Sequence, residues 1–234
     1  MLFKWFSRLL HTVVFLAFLY IFSSLFAPIL VEASPIPTVF INEIHYDNSG
    51  IDQGEFIELA GMAGLNLDGW SLHFYNGNNG NEYKKYTFSD WLLNDTANGF
   101  GFAGINISGI QNGSPDGIVL ADAQDNIIQF LSYEGVFTAN SGIAAGLTSI
   151  DIGVSEFSDT SVGFSLQLIG QGKQYSDFIW AASKKSTFGV ANFRQTLNID
   201  TSSAVSINEP SNLVLFCLAL LFLFLSPLKA KQVT

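Results

Sequence analysis

Short apolar or alternating segments recur through the middle of the chain, separated by runs of Gly, Asn, Asp and Ser. This spacing is typical of β-strands joined by turns. In WSLHFY, Trp70, Leu72 and Phe74 share one side of an extended strand, so the pattern predicts that these three face a core. The predicted strands are residues 38–46, 54–60, 69–75, 83–88, 99–103, 117–121, 126–133, 164–169 and 177–182.

The turns between these segments fit the same fold class. YNGNNGNE at residues 75–82 predicts a hairpin tip, because Asn and Gly tolerate positive φ. No segment between residues 40 and 200 has a helical period, although residues 140–148 could hold one turn of helix. Nine strands without crossover helices predict an all-β fold, with a β-sandwich as its architecture.

The N-terminus has the layout of a secretory signal peptide. Lys4 and Arg8 precede an apolar run that extends from about residue 12 to residue 31, and small residues follow. This pattern predicts a signal peptide over residues 1–33, cleaved by signal peptidase after Ala33. The run is also long enough for an uncleaved membrane anchor, and that alternative stays open.

The C-terminus carries a second apolar run, residues 213–228, followed by Lys229 and Lys231. The run predicts a transmembrane helix, and the lysines place residues 229–234 in the cytoplasm. A helix buried in a soluble core is the alternative, but every face of this run is apolar. A linker, residues 199–212, then joins the helix to an exported domain over residues 34–198.

The C-terminal segment resembles the PEP-CTERM sorting signal of Gram-negative bacteria. Asn208, Glu209 and Pro210 stand where that signal has Pro-Glu-Pro, and the apolar run and basic end follow in the same order. The resemblance implies an exosortase-like processing enzyme as a partner. It also implies an exported protein of the Gram-negative envelope, anchored in the membrane at least transiently and then placed on the cell surface or outside the cell. Carriers of this signal are often linked to exopolysaccharide.

The charge balance of the segment between the two ends is strongly acidic. Residues 34–206 contain six basic and 18 acidic residues, which gives a net charge of 6 − 18 = −12. This balance disfavours binding to nucleic acids and to anionic lipid surfaces. The one cysteine, Cys217, lies in the C-terminal apolar run, so the exported domain has no disulfide and no thiol chemistry.

The domain itself resembles the lamin tail domain. The motifs that carry the resemblance are INEI at 41–44, EFIEL at 55–59, LDGWSL at 67–72, DGIVL at 116–120 and IIQFLSY at 127–133. The resemblance implies an immunoglobulin-like β-sandwich and a non-enzymatic binding or structural module, with no catalytic residues. We therefore expect a surface or matrix-associated protein whose partner is an exopolysaccharide or another surface protein.

Two carboxylates and an acidic loop are the candidate sites. Glu43 and Glu58 could act as the acid and base of a secreted hydrolase if they meet in one cleft. We expect Glu43 to share a face with Ile41 and both carboxylates to have a structural role. The loop with Asp47, Asp52 and Glu55 offers oxygen ligands for a weak structural Ca²⁺ ion. A Ca²⁺-dependent carbohydrate or protein binder is a further alternative. A solvated acidic loop without any cofactor is the simpler interpretation.

Two weaker site hypotheses concern histidines and aromatic residues. His45 and His73 could share a Zn²⁺ ion, but the sequence offers no third ligand. Exposed aromatic side chains around the hairpin at residues 75–91 could stack on sugars, although core packing explains them as well. These aromatic residues are Tyr75, Tyr83, Tyr86 and Trp91.

Overall fold

The computed structural model describes residues 39–198. The predicted signal peptide with its predicted cleavage site at Ala33, the motif at 208–210 and the apolar run at 213–228 lie outside these residues. The described part forms eleven strands and one 3₁₀ turn, and none of its helices is long and apolar enough to cross a membrane. The strands are β1 Val39–His45, β2 Phe56–Met62, β3 Ser71–Asn76, β4 Asn81–Thr87, β5 Phe100–Asn106, β6 Asp116–Ala121, β7 Ile127–Tyr133, β8 Ile150–Asp151, β9 Phe164–Gly172, β10 Phe178–Lys185 and β11 Gln195–Leu197; the 3₁₀ turn is Tyr175–Asp177.

The strands form two mainly antiparallel sheets. Sheet 1 has the order β10-β9-β1-β2-β5, with the short strand β11 pairing in parallel to β9. Sheet 2 has the order β4-β3-β6-β7-β8, with β8 parallel to β7. This nearly all-β, two-sheet arrangement is consistent with the predicted β-sandwich.

One apolar core contains side chains from both sheets. Ile41, Ile57 and Leu59 come from sheet 1, and Leu72 and Phe74 from sheet 2, all buried in the same cluster. Trp70 belongs to this cluster too, so the prediction that Trp70, Leu72 and Phe74 face a core is confirmed. Burial of each such side chain contributes on the order of 2 kcal/mol, which is how the fold holds together without disulfides.

The outer face of each sheet is also partly covered. On sheet 2, Tyr75, Val119 and Phe130 pack beneath Phe137 and other residues of the loop between β7 and β8. On sheet 1, a smaller cluster forms around Phe40. Strands covered on both faces lose the strict apolar–polar alternation of a half-exposed sheet, and β1 is buried along its whole length.

All nine predicted strands correspond to strands of the structure, with ends that differ by at most three residues. The hairpin tip falls between β3 and β4 as predicted, and the Gly80 amide donates to the Asn76 carbonyl there. Residues 140–148 form hydrogen-bonded turns and no helix. The sequence pattern missed β8 and β11, because strands of two and three residues have no measurable period.

Candidate functional site

A β-bulge places Glu43 and Glu58 side by side. Ile41 pairs with Leu59 and Glu43 pairs with Glu58, so Asn42 is an extra residue in β1. An extra residue reverses the alternation of side chains beyond it. Ile41 therefore lies in the core while Glu43 faces outward beside Glu58, and the expectation that Glu43 shares a face with Ile41 was wrong.

Residues 186–194, which we call the strap, cover both carboxyl groups. The Thr187 amide donates to Glu43 Oε1 at 2.9 Å, and the Thr187 hydroxyl lies 2.8 Å from Glu43 Oε2. The Gly189 amide donates to Glu58 Oε2 at 2.5 Å. Both glutamates are fully buried, so their hydrogen-bonding capacity is used to hold the strap on sheet 1.

Apolar and amide contacts hold the strap in the same place. The Phe188 ring packs edge-on against Phe56, with ring centroids 5.0 Å apart. It also lies over Gly104, where an added Cβ would come within 2.5 Å of the ring. Near the other end of the strap, the Asn192 side-chain amide donates to the backbone carbonyls of Asn42 and Leu168. The Phe188 ring leaves no room for a side chain at Gly104, which explains why β5 contains a glycine that strand propensity alone would disfavour.

The two carboxyl groups lie in different electrostatic situations. Glu43 accepts hydrogen bonds from Ser165, Gln167 and Thr187. Burial raises the pKa of Glu58 to about 8; the nearby Glu43 carboxylate adds to the increase, and hydrogen bonds from Gly189 and Asn42 oppose it. Glu58 is therefore mostly protonated at neutral pH. A glycosidase pair also needs a substrate and a water between its carboxyl groups, and here the strap covers both of them.

The three acidic residues of the loop lie in two different places. Asp47 is buried, and its pKa is raised by burial and by the charge of Asp52. Glu55 instead accepts hydrogen bonds from the amides of Gly109 and Ile110, both at 2.7 Å. The structure thus brings Asp47 and Asp52 together and places Glu55 elsewhere. Among residues 39–198, no group of three or more His, Cys, Asp or Glu side chains is arranged to hold a metal ion.

His45 forms a buried ion pair with Glu156. The Nδ1 atom of His45 lies 3.0 Å from the Glu156 carboxylate, and Nε2 lies 3.1 Å from the Gln53 carbonyl. Since both neighbours only accept hydrogen bonds, the ring donates from both nitrogens and is positively charged. Burial alone would lower the pKa of His45, but the hydrogen bond to Glu156 and the Glu156 charge outweigh that effect and raise it above 6.5. Glu156 also accepts from the Tyr46 amide at 2.7 Å.

His73 belongs to a different group on the outer face of sheet 2. Its Nε2 atom lies 2.9 Å from Ser71 Oγ, and its Nδ1 atom lies 3.1 Å from Glu82 Oε1. The order hydroxyl, imidazole, carboxylate is that of a Ser-His-acid triad, and the sequence analysis missed it. However, Ser71 is 1% exposed, and the Nδ1 contact lacks hydrogen-bond alignment. No substrate reaches this serine, so we interpret the group as structural.

The histidines and the aromatic side chains named as candidates are not brought together. His45 and His73 point outward from opposite sheets, each beside its own glutamate, so the zinc hypothesis has no geometric support. Tyr75 is buried on the outer face of sheet 2. The other aromatic residues of the predicted sugar platform pack, half-buried, against the central core instead: Tyr83, Tyr86 and Trp91.

Comparison of the chain with protein-family models, characterised proteins and solved structures found no match. The resemblances to the lamin tail domain and to the sorting signal therefore stay predictions from the sequence motifs.

The sequence analysis identified Glu43 and Glu58 and missed what covers them. The strap follows the last predicted strand and has no strand or helix period. Glu156, the partner of His45, was also missed, because 111 residues separate them.

Proposed function

We propose that the chain is a non-enzymatic, exported binding or structural module of a Gram-negative envelope. In this proposal residues 34–198 form a lamin-tail-like, immunoglobulin-like sandwich. The C-terminal apolar segment anchors it to the membrane at least transiently, and an exosortase-like enzyme processes the sorting motif. The mature domain acts at the cell surface or outside the cell, by contact with an exopolysaccharide or another surface protein.

One observation carries the non-enzymatic part of the proposal. The two carboxylates best placed for acid–base chemistry, Glu43 and Glu58, are buried under the strap and bound by its backbone amides. A hydrolase needs such groups open to substrate and to water. The hydrogen bonds of these two side chains to the strap support a role in stability. In this proposal the partner therefore binds to an outer surface of the domain.

Mass spectrometry of the protein isolated from its native cells and medium tests the export and sorting parts. We expect the mature chain to begin at Ser34 and to end near Asn208–Pro210. Protein that retains Lys229 and Lys231 in every fraction would overturn the sorting proposal. A first residue upstream of Ala33 would overturn cleavage of the signal peptide.

Assays with chromogenic glycosides and esters test the non-enzymatic part. We expect no turnover above that of a heat-denatured sample. Turnover that is present in the wild-type protein and lost in Glu43→Gln would overturn this part, provided that the variant keeps the wild-type circular dichroism spectrum.

A further inference from the structure

The basic residues of this acidic domain are concentrated at its C-terminal end. Residues 178–198 contain Lys184, Lys185 and Arg194 and no Asp or Glu, whereas residues 39–177 contain 17 acidic and three basic residues. All three basic side chains are exposed. The net charge of the whole domain therefore conceals a basic segment that contains β10 and the strap.

The same segment carries four exposed apolar side chains. Ile179 is 68% exposed, Phe193 65%, Val190 54% and Phe188 43%. Phe188, Val190 and Phe193 belong to the strap, which lies on the outer face of sheet 1. Since isolated exposed apolar residues are ordinary, the informative feature is that four large ones accompany three cations and no anion over 21 consecutive residues.

Strand register places Lys184 of β10 on the same side as the strap. Lys184 pairs with Ser165 of β9, whose hydroxyl donates to Glu43, so both side chains face outward. Lys185 pairs with Phe164 and points to the opposite side. We call the surface formed by Lys184 and the strap the strap face.

We propose that the strap face docks on an anionic phospholipid bilayer. Basic residues around exposed Phe and Val are the combination that binds a lipid interface, with the apolar side chains entering the headgroup region and the cations meeting phosphates. A sugar ligand would call for Trp or Tyr beside hydrogen-bonding groups, and the exposed Phe and Val side chains here offer none. The net charge of the domain predicts weak binding to anionic lipids, but this prediction does not hold for the strap face, which carries only basic charges.

The position of the predicted anchor supports the same partner. β11 ends at Leu197, and the predicted transmembrane segment begins at residue 213. The 15 residues between them span at most about 50 Å when fully extended. The strap face therefore stays close to the bilayer, where tethering raises its effective concentration. This step rests on the proposed membrane anchor, whereas the charge and exposure of the face do not.

The test uses the full chain in a Cys217→Ser background, with a fluorophore on a single new cysteine. Val190→Cys places the dye on the strap face. Val136→Cys is the matched control, because Val136 is 60% exposed on the loop that covers the other sheet. Each labelled protein is mixed with vesicles of phosphatidylcholine alone or with an equal part of phosphatidylglycerol, and both vesicle types contain a spin-labelled quenching lipid.

We expect quenching at position 190 in the anionic vesicles, and little at position 136 or in phosphatidylcholine alone. Replacing Lys184 and Arg194 by Gln should lower the ratio of docked to undocked domain by about fivefold per residue, on the order of 25-fold in total. High salt should have a similar effect. The control Lys85→Gln, an exposed charge on β4, should leave quenching unchanged.

The outcomes separate this inference from the proposed anchor. Flotation of the chain with phosphatidylcholine vesicles reports the anchor, and quenching at position 190 reports the strap face. If the chain floats but positions 190 and 136 are quenched equally, the docking inference is overturned. If the chain binds the acidic polysaccharide alginate through Lys184 and Arg194 and lipid does not quench position 190, the docking inference is overturned too. Quenching at position 190 without flotation in phosphatidylcholine would support docking and overturn the anchor.

Discussion

Glu58→Gln should change how the stability of the domain depends on pH. The pKa of Glu58 rises from 4.5 to about 8 on folding, mainly because the group is buried. The folded state therefore holds a proton that the unfolded state releases above pH 4.5. Stability from this proton is fully present below pH 4.5 and is lost as the pH rises through 8.

The size of the effect follows from linkage between proton binding and folding. Between pH 5 and pH 8, the wild-type domain should lose roughly 3 kcal/mol of unfolding free energy through Glu58. Glutamine cannot titrate, so the variant should lack this loss. Its side-chain amide replaces one oxygen that accepts from Gly189 or Asn42, which should cost about 1–2 kcal/mol at every pH. The variant should thus be less stable than wild type at pH 5 and more stable at pH 8.

Urea unfolding followed by tryptophan fluorescence, with the full chain in mild detergent at several pH values, measures this change of sign. Asp159→Asn, which alters an exposed carboxyl group, is the control and should follow the wild-type curve. If Glu58→Gln and wild type run parallel from pH 5 to pH 8, Glu58 does not titrate in this range. The inference that Glu58 is mostly protonated at neutral pH would then be refuted.

Three further predictions concern the strap, the ion pair and the acidic loop. Thr187→Val removes the hydroxyl beside Glu43 and should cost about 1–2 kcal/mol, seen as faster amide hydrogen exchange in residues 186–194; unchanged exchange there would contradict the strap contacts. Glu156→Gln should lower the free energy of unfolding by about 3–5 kcal/mol below pH 6.5, because it leaves the buried His45 imidazolium without its partner. The loss should become smaller above the raised pKa of His45, where the imidazolium is deprotonated. Urea unfolding at pH 6 and at alkaline pH measures the difference. Removing Ca²⁺ with EDTA should leave the melting temperature unchanged, whereas a shift that Asp52→Asn abolishes would establish a cation at the Asp47–Asp52 pair.

The strands could be predicted because their information is local. Alternation in residues 70–75 and the Asn-Gly turn after them fix β3 and its hairpin without reference to any distant residue. The partners of the buried polar groups are different. Glu43 and Thr187 are 144 positions apart, and His45 and Glu156 are 111 apart. No periodicity along the chain connects such residues.

The bulge at Asn42 shows how one local irregularity changes a functional interpretation. Strict alternation assigns Glu43 to the core side with Ile41, where a charged group would be costly. The extra residue moves it to the outer face beside Glu58, where the pair would resemble a catalytic dyad if it were open. The strap closes that face by donating amides to both carboxyl groups, and in doing so it displays Val190 and Phe193 to solvent. The same segment therefore covers the carboxyl pair that the sequence offered for acid–base chemistry and carries the exposed apolar side chains on which the proposed docking rests.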